Sequence, residues 1–392
     1  MIDIPNQPLL ADLLRRARLE HVRHFACRGR SISVLATSIE PIELLSQMFY
    51  PDGALGLYAT QSTLQHPDWT VYDLLVDRSD LRRFVDWVNG GATKREQYRP
   101  EPFLALPTYL LAGIKVFWAD KGIEPSGIIL QKGREIAIVS ISDVVHPMRL
   151  MRVVRHLVSR FAQNDNQIGF HASCFEYDGK AFLAVGDSGA GKSTLSIAAP
   201  LFLRGSWIGN DRIFVDLSSP ELQCYAYPLP LSFNKGSLLA LGLENEYTAW
   251  NLRVPPPDAA SDWMQYCGDT KLKMTPLEVA TNLRLPVRAN APLGGIIFPR
   301  VEFGGDNVGL SRVSIDEFRE TLYRNFVGFQ GDFWGDDYLD VLQHPRPDGS
   351  MFADFLDRMG DRPVFSCVMS QYRHTRLVMD QFEAASESER ST

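Results

Sequence analysis

The sequence predicts a mixed α/β (α+β) protein in three parts, and three observations predict it. Apolar runs of strand length alternate with stretches of helical spacing along the whole chain. Breaks at Asn164–Gln167 and before Ser314 divide it into residues 1–164, 165–313 and 314–392. In the middle part a short apolar strand runs straight into a glycine-rich loop and then a helix.

In the first part, Ser31–Leu35, Gly113–Ala119, Gly127–Leu130 and Glu135–Ser140 read as strands, the last two joined by a hairpin turn at Gly133. Leu74 to Trp87 has helical spacing, with Leu74, Leu81, Phe84 and Trp87 on one side. A helix is expected over Pro147–Ala162, where Leu150, Val153, Val154, Leu157, Val158 and Phe161 form an apolar stripe. Arg149, Arg152, Arg155 and Arg160 lie mostly off that stripe and read as a solvated face rather than an anion-binding patch. His21, His24 and Cys27, among arginines, read as a solvated helix face rather than a zinc site. This part forms a mixed α/β domain with no assigned role, open to acceptor recognition.

The second part opens with a strand over Ser173–Tyr177, a tight Asp178-Gly179 turn and a buried-type strand over Ala181–Val185. A helix from Lys192 to Ala199 is expected to stop at Pro200, followed by a strand over Ile213–Leu217. Thr275-Pro276-Leu277-Glu278 is a capping-box start for a helix, and Gly294–Phe298 is a further apolar strand. The third part is read as a helical extension. Ser314 and Glu317 form a capping box, and Phe318, Leu322 and Phe326 fall on one helical face. A Gly/Asp-rich loop over Gly331–Asp337, a helix over Met351–Met359, a strand over Pro363–Met369 and a frayed tail from Glu383 complete it.

Composition narrows the function classes. With 392 residues, 45% hydrophobic and 22% charged, the chain is ordinary globular protein, and a net charge of −7 argues against a nucleic-acid partner. The most apolar stretch, Phe103–Ala119, holds Pro107, Gly113 and Lys115 and is too short to span a bilayer, so no membrane partner is expected. Five widely spaced cysteines without a CxxC pair, and no basic-then-apolar leader, fit a reduced, cytoplasmic setting. A homo-oligomer stays open.

The strongest signal is Gly186-Asp187-Ser188-Gly189-Ala190-Gly191-Lys192-Ser193-Thr194, which matches G-x-x-x-x-G-K-[ST] in full. Such glycines let backbone N–H groups turn onto phosphates at a helix N-terminus. Lys192 is placed to reach the β and γ oxygens of a nucleoside triphosphate, and the Ser193 hydroxyl to ligate Mg²⁺. Thr194 either contacts the α-phosphate or faces the strand. His171 lies before this loop, and Asp211, in Gly209-Asn210-Asp211-Arg212, lies after its helix.

The run from Phe170 through Leu195, histidine-led and ending in Gly186-Asp187-Ser188-Gly189-Ala190-Gly191-Lys192-Ser193, resembles the catalytic core of HPr kinase/phosphorylase and its relatives. The resemblance implies a P-loop core similar to that of phosphoenolpyruvate carboxykinase, and an ATP-dependent serine kinase. It places His171 near the γ-phosphate and makes Asp211 one of the family's paired aspartates, orienting or deprotonating the acceptor hydroxyl and helping to hold Mg²⁺. The bifunctional members carry Asp-Asp where this chain has Asn210-Asp211, and their downstream glycine-rich signature is not found. The resemblance therefore implies a related kinase with a different acceptor: a protein, a peptide or a small hydroxyl compound.

Two other readings remain. A nucleotide-dependent switch or ATPase uses the same loop. However, Asn234-Lys235 lacks the Asp of a GTPase motif, and the strand near Asp211 follows its aspartate rather than leading to it. A carboxykinase would need a longer chain and a metal-site set that cannot be named. Lys271, Lys273 and Arg300 are further cations near the core, and Arg212 reads as pairing with a surface acid.

Overall fold

A computed structural model describes residues 8–60, 66–91, 93–101, 104–111, 113–118, 125–143, 146–255, 271–302, 308–327, 337–343, 348–370 and 375–390. Cys267, most of the Gly331–Asp337 loop and part of the Phe103–Ala119 stretch lie outside them. The chain is mixed α/β and forms two compact units. The first comprises Met1–Ser46, Gly56–Asn164 and Phe329–Pro345, and the second Gln47–Leu55, Asp165–Gly328 and Arg346–Thr392.

The first unit contains, in order, α1 (Pro8–Arg16), β1 (His21–Cys27), β2 (Arg30–Ala36), α2 (Glu40–Met48), β3 (Leu57–Thr60), β4 (Trp69–Leu75), α3 (Arg78–Gly91), β5 (Thr93–Glu101), β6 (Leu104–Leu111), β7 (Ile114–Trp118), β8 (Gly127–Lys132), β9 (Glu135–Ser140) and α4 (His146–Asn164). Among the described residues nine strands make one sheet, ordered β3-β1-β2-β4-β9-β8-β7-β6-β5. The hairpin at Gly133 is present, with Lys132 opposite Glu135 and Gly133 at φ 57.

Three expectations change in this unit. His21, His24 and Cys27 lie on strand β1, paired antiparallel with β2, not on a helix. The physical reason is the partner strand, which supplies a ladder that local arginine content does not reveal. Leu74 is a core residue of β4, and the helix begins only at Arg78, so the spacing from Leu74 spanned two elements. The α4 arginines are not a solvated face: Arg149 is 2% and Arg160 1% exposed. Arg149 donates to Asp143 at 2.9 Å and to Ser126, and Arg160 to Gln163 at 2.7 Å. Acids and amides compensate the buried guanidinium groups, which periodicity does not show.

The second unit holds β10 (Gln167–Phe170), β11 (Ala172–Tyr177), β12 (Lys180–Val185), α5 (Lys192–Leu203), β13 (Ser206–Gly209), β14 (Ile213–Asp216), β15 (Gln223–Ala226), β16 (Leu231–Phe233), α6 (Lys235–Leu241), β17 (Leu272–Met274), α7 (Pro276–Asn282), β18 (Asn290–Glu302), β19 (Gly309–Arg312), α8 (Arg319–Arg324), β20 (Phe326–Val327), α9 (Asp348–Met359), β21 (Val364–Ser370) and α10 (Thr375–Arg390). The main sheet runs β13-β11-β12-β18-β15-β14-β10-β20, with β21 beside β18 and β19 beside β21. β12 is central: antiparallel to β11, parallel to β18, and buried from Ala181 to Val185.

The capping box at Thr275 forms, with the Thr275 hydroxyl accepting from Glu278 N and the Glu278 carboxylate accepting from Thr275 N. The Ser314–Glu317 box also forms, but Phe326 lies on β20 beyond the helix. Helix α5 does not stop at Pro200. It continues to Leu203, because Leu195, Ile197, Ala198, Ala199 and Leu203 are buried in the core and that packing outweighs the missing proline N–H. The stretch from 314, set apart in the sequence as a helical extension, contributes β20 and β21 to this sheet. Of the tail expected to fray, residues 383–390 continue α10, which is anchored just ahead of them by Phe382, fully buried against Phe175 and Phe182.

Candidate functional site

The site gathers around the segment between β12 and α5. Buried β12 delivers the chain to Gly186, and the tip Asp187-Ser188-Gly189 stands exposed. Gly189 (φ 81) and Gly191 (φ 95) adopt left-handed backbone conformations. A Cβ at Gly191 would run into Met369 Cε, so two constraints converge on glycine there. Gly191 also serves as N-cap of α5 and supplies no side-chain cap, which leaves the first-turn N–H groups for another acceptor. Ala190 N donates to Asp187 O at 3.2 Å and shapes the turn.

Lys192 folds back across this loop. Its Nζ donates to Gly186 O at 2.6 Å and Asp187 O at 3.0 Å. Burial lowers its pKa to about 8, against the raising effect of Asp211 and Asp187, while the Lys271 charge lowers it further. A partly desolvated ammonium bonded to two carbonyl oxygens is suited to an anion.

Asn210 ties the loop helix to the sheet. It is buried, and its Oδ1 accepts from Ser193 Oγ and from Ser173 Oγ, each at 2.7 Å. Because Ser193 gives its proton to Asn210, its lone pairs remain for a cation. Asp211 follows at φ 67, and Arg212 N donates to Asn210 O at 2.8 Å across it, the i→i+2 bond of a γ-turn. Such backbone is costly for a non-glycine residue and aims the side chain. Asp211 Oδ1 lies 3.3 Å from His171 Nε2. Burial raises the Asp211 pKa, but the His171 hydrogen bond and the charges of His171, Arg212 and Lys192 outweigh it, and the net shift is downward. Asp211 is therefore ionised at neutral pH.

The structure thus brings Lys192, Ser193, Asn210, Asp211 and His171 together. Thr194 turns away, its hydroxyl 3.0 Å from Ser237 Oγ, which in turn donates to Asn234 Oδ1 at 3.1 Å. Arg212 lies over the Tyr227 ring at 5.5 Å. Arg300 pairs with Glu302 at 2.7 Å on exposed surface, and Lys273 is exposed on β17. One contrast drawn from sequence does not hold. The buried strand β13 ends at Gly209 and leads into Asn210-Asp211, so the aspartate follows a strand as well as preceding one. Ser173, Asn325 and Arg324 were not singled out in the sequence. Asn325 O accepts the His171 backbone N–H at 2.7 Å, and Arg324 Nη2 lies 3.7 Å from Asp187 Oδ2. Nothing local marks them, because each contact joins segments far apart in the chain.

Among the described residues no group of three or more His, Cys, Asp or Glu side chains is placed to hold a metal. The donor set at the loop, one hydroxyl and one carboxylate, is the sparse hard-oxygen kind that suits Mg²⁺ shared with phosphates and water.

No family model matches the chain, and no curated protein matches it. Among solved structures it is similar to the Hpr(Ser) kinase/phosphatase from Coxiella burnetii, at 11% identity and a TM-score of 0.26, over 57% of this chain and 98% of that one. No helix among the described residues is long and apolar enough to cross a membrane.

Proposed function

We propose that the chain is an ATP-dependent phosphotransferase that moves the γ-phosphoryl group to the hydroxyl of a protein, peptide or small-molecule acceptor. The observation that carries the reading is the ionised Asp211, held 3.3 Å from His171 on a strained turn and close enough to Lys192 to act on its charge. A carboxylate so placed is what phosphoryl transfer to an alcohol uses to orient the acceptor hydroxyl.

The loop N–H groups and Lys192 bind and orient the phosphates. Ser193 and Asp211 would hold Mg²⁺, which would supply neutralisation of the phosphate charge when bound. Asp211 accepts a hydrogen bond from the acceptor hydroxyl and so orients its oxygen at phosphorus. Its low pKa makes it a weak base, so the proton moves to it late, once the new O–P bond has formed. His171 holds the carboxylate in place. The new phosphoester and ADP are the products.

The strand β13 leading into Asp211 favours one second reading, a hydrolase in which water takes the acceptor's place. Purified protein with Mg²⁺ and γ-labelled ATP separates the two. Label on a component of the native extract supports transfer; free phosphate released at a rate that no acceptor alters supports hydrolysis. Asp211→Asn is expected to abolish transfer and leave nucleotide binding within a few-fold; retained transfer removes Asp211 from the reaction.

A further inference from the structure

The loop's own motif contains one cation, Lys192, and transfer of a phosphoryl group concentrates negative charge on three oxygens. A second cation reaches the same loop from outside the motif. Arg324 closes α8, and the residue after it is fixed. Asn325 is 5% exposed, its carbonyl accepts the His171 N–H at 2.7 Å, and its amide donates to Thr321 O at 2.8 Å. The end of α8 is therefore pinned to the segment carrying the His171–Asp211 pair.

The Arg324 side chain is held far less firmly than its backbone. It is half exposed, with Nη2 at 3.7 Å from Asp187 Oδ2 and a long 3.4 Å bond to Thr321 Oγ1. An exposed pair at that distance is weak, so the guanidinium can leave the carboxylate at little cost. Asp187 is shared by both cations: its backbone oxygen receives Lys192 Nζ at 3.0 Å, and its carboxylate faces Arg324. A guanidinium presents a planar fork of donors that matches phosphate oxygens two at a time, which an ammonium does not.

We propose that Arg324 exchanges its ion pair with Asp187 for the terminal phosphate of a bound nucleoside triphosphate. It thereby distinguishes triphosphate from diphosphate and stabilises the group in transfer. The proposal rests on the nucleotide reading of the loop. A diphosphate lacks the γ-phosphate oxygens, and Arg324 stays on Asp187. The exposed position of Arg324 makes it replaceable without opening the core.

Calorimetric titration of the full chain with Mg²⁺ and either ADP or the non-hydrolysable β,γ-imido analogue of ATP tests this. Arg324→Gln is expected to weaken the triphosphate analogue by about tenfold or more and ADP by no more than about twofold, the size of one lost charge-assisted contact. Arg324→Lys is expected to recover only part of the loss, because it keeps the charge and loses the fork. Intact wild-type binding with an unchanged triphosphate-to-diphosphate ratio in Arg324→Gln overturns the role of Arg324 alone. Failure of the wild type to bind either nucleotide overturns the nucleotide reading and this inference with it.

Discussion

Lys192 is expected to destabilise the empty protein, and Lys192→Met is expected to raise its melting temperature while removing phosphate binding. Lys192 is 8% exposed, and burial lowers its pKa from 10.5 to about 8. At ~1.4 kcal/mol per pKa unit this corresponds to a penalty of ~3 kcal/mol on the charged form at neutral pH. Methionine keeps the apolar stem and gives up the bonds to Gly186 O and Asp187 O. Asp187 O still accepts from Ala190 N, so the main loss is one bond of about 1 kcal/mol. The net gain is ~1–2 kcal/mol, which for a unit of this size is a rise of ~2–8 °C. The pH dependence gives the sign. Below pH 8 the folded lysine is charged and the penalty is full. Between about 8 and 10.5 the folded lysine is neutral while the unfolded one still binds its proton, so the wild type gains stability as pH rises. The gap between variant and wild type is therefore widest at pH 7 and closes toward pH 10.5. With ATP at one hundred times its dissociation constant the wild type recovers ~2.7 kcal/mol and the variant recovers nothing. Scanning calorimetry at pH 7 and pH 10, with and without Mg²⁺ and ATP, reads all of this. A variant less stable than the wild type at pH 7, or a gap that pH leaves unchanged, refutes the reasoning.

Asn210→Ala strips the acceptor from two hydroxyls, Ser173 and Ser193, and is expected to cost ~2–3 kcal/mol in denaturant midpoints, whereas Asn210→Asp keeps both bonds and costs less. Gly191→Ala places a Cβ against Met369 at a positive φ and is expected to weaken nucleotide affinity at least about tenfold in equilibrium titration; wild-type affinity would mean that the left-handed turn is dispensable. In the first unit, burial lowers the His156 pKa to about 4 despite its hydrogen bond to Asp337. The neutral ring contributes stability that is present above its unfolded value of 6.5 and lost as pH falls from there toward 4, by up to ~3 kcal/mol. His156→Gln is expected to flatten chemical-denaturation stability between pH 7 and pH 4.5, and a slope as steep as that of the wild type would move the acid sensitivity to other groups.

The halves of the candidate site differ in how far sequence alone reveals them, and chain distance explains the difference. Gly186 to Ser193 is legible because everything it needs is local: an apolar strand, glycines where φ must turn positive, and a lysine one residue beyond the last of them. The rest of the candidate site is assembled from His171, Ser173, Asn210, Asp211, Arg324 and Asn325, which meet because β11 begins where β13 and α8 end. Asp211 could be suspected from its sequence, but its turn geometry depends on β13, whose Ser206–Gly209 is too short and too mixed to read as a strand. The α4 arginines fail for a related reason. Hydrophobic periodicity reports which face is apolar, and it takes the other face to be wet. Arg149 and Arg160 instead meet Asp143, Ser126 and Gln163 under cover. The same limit hides Arg324: a basic residue at a helix end is ordinarily a solvated cation, and only the buried Asn325 beside it, bonded to His171, gives it a fixed base beside the loop. Replacing Asn325 by Ala keeps the carbonyl that accepts from His171 but removes the amide bond to Thr321 O that fixes the end of α8, and is therefore expected to impair transfer through Arg324, less than additively in a double variant with Arg324→Gln. Fully additive losses in kcat/KM would mean that Asn325 supports the fold alone.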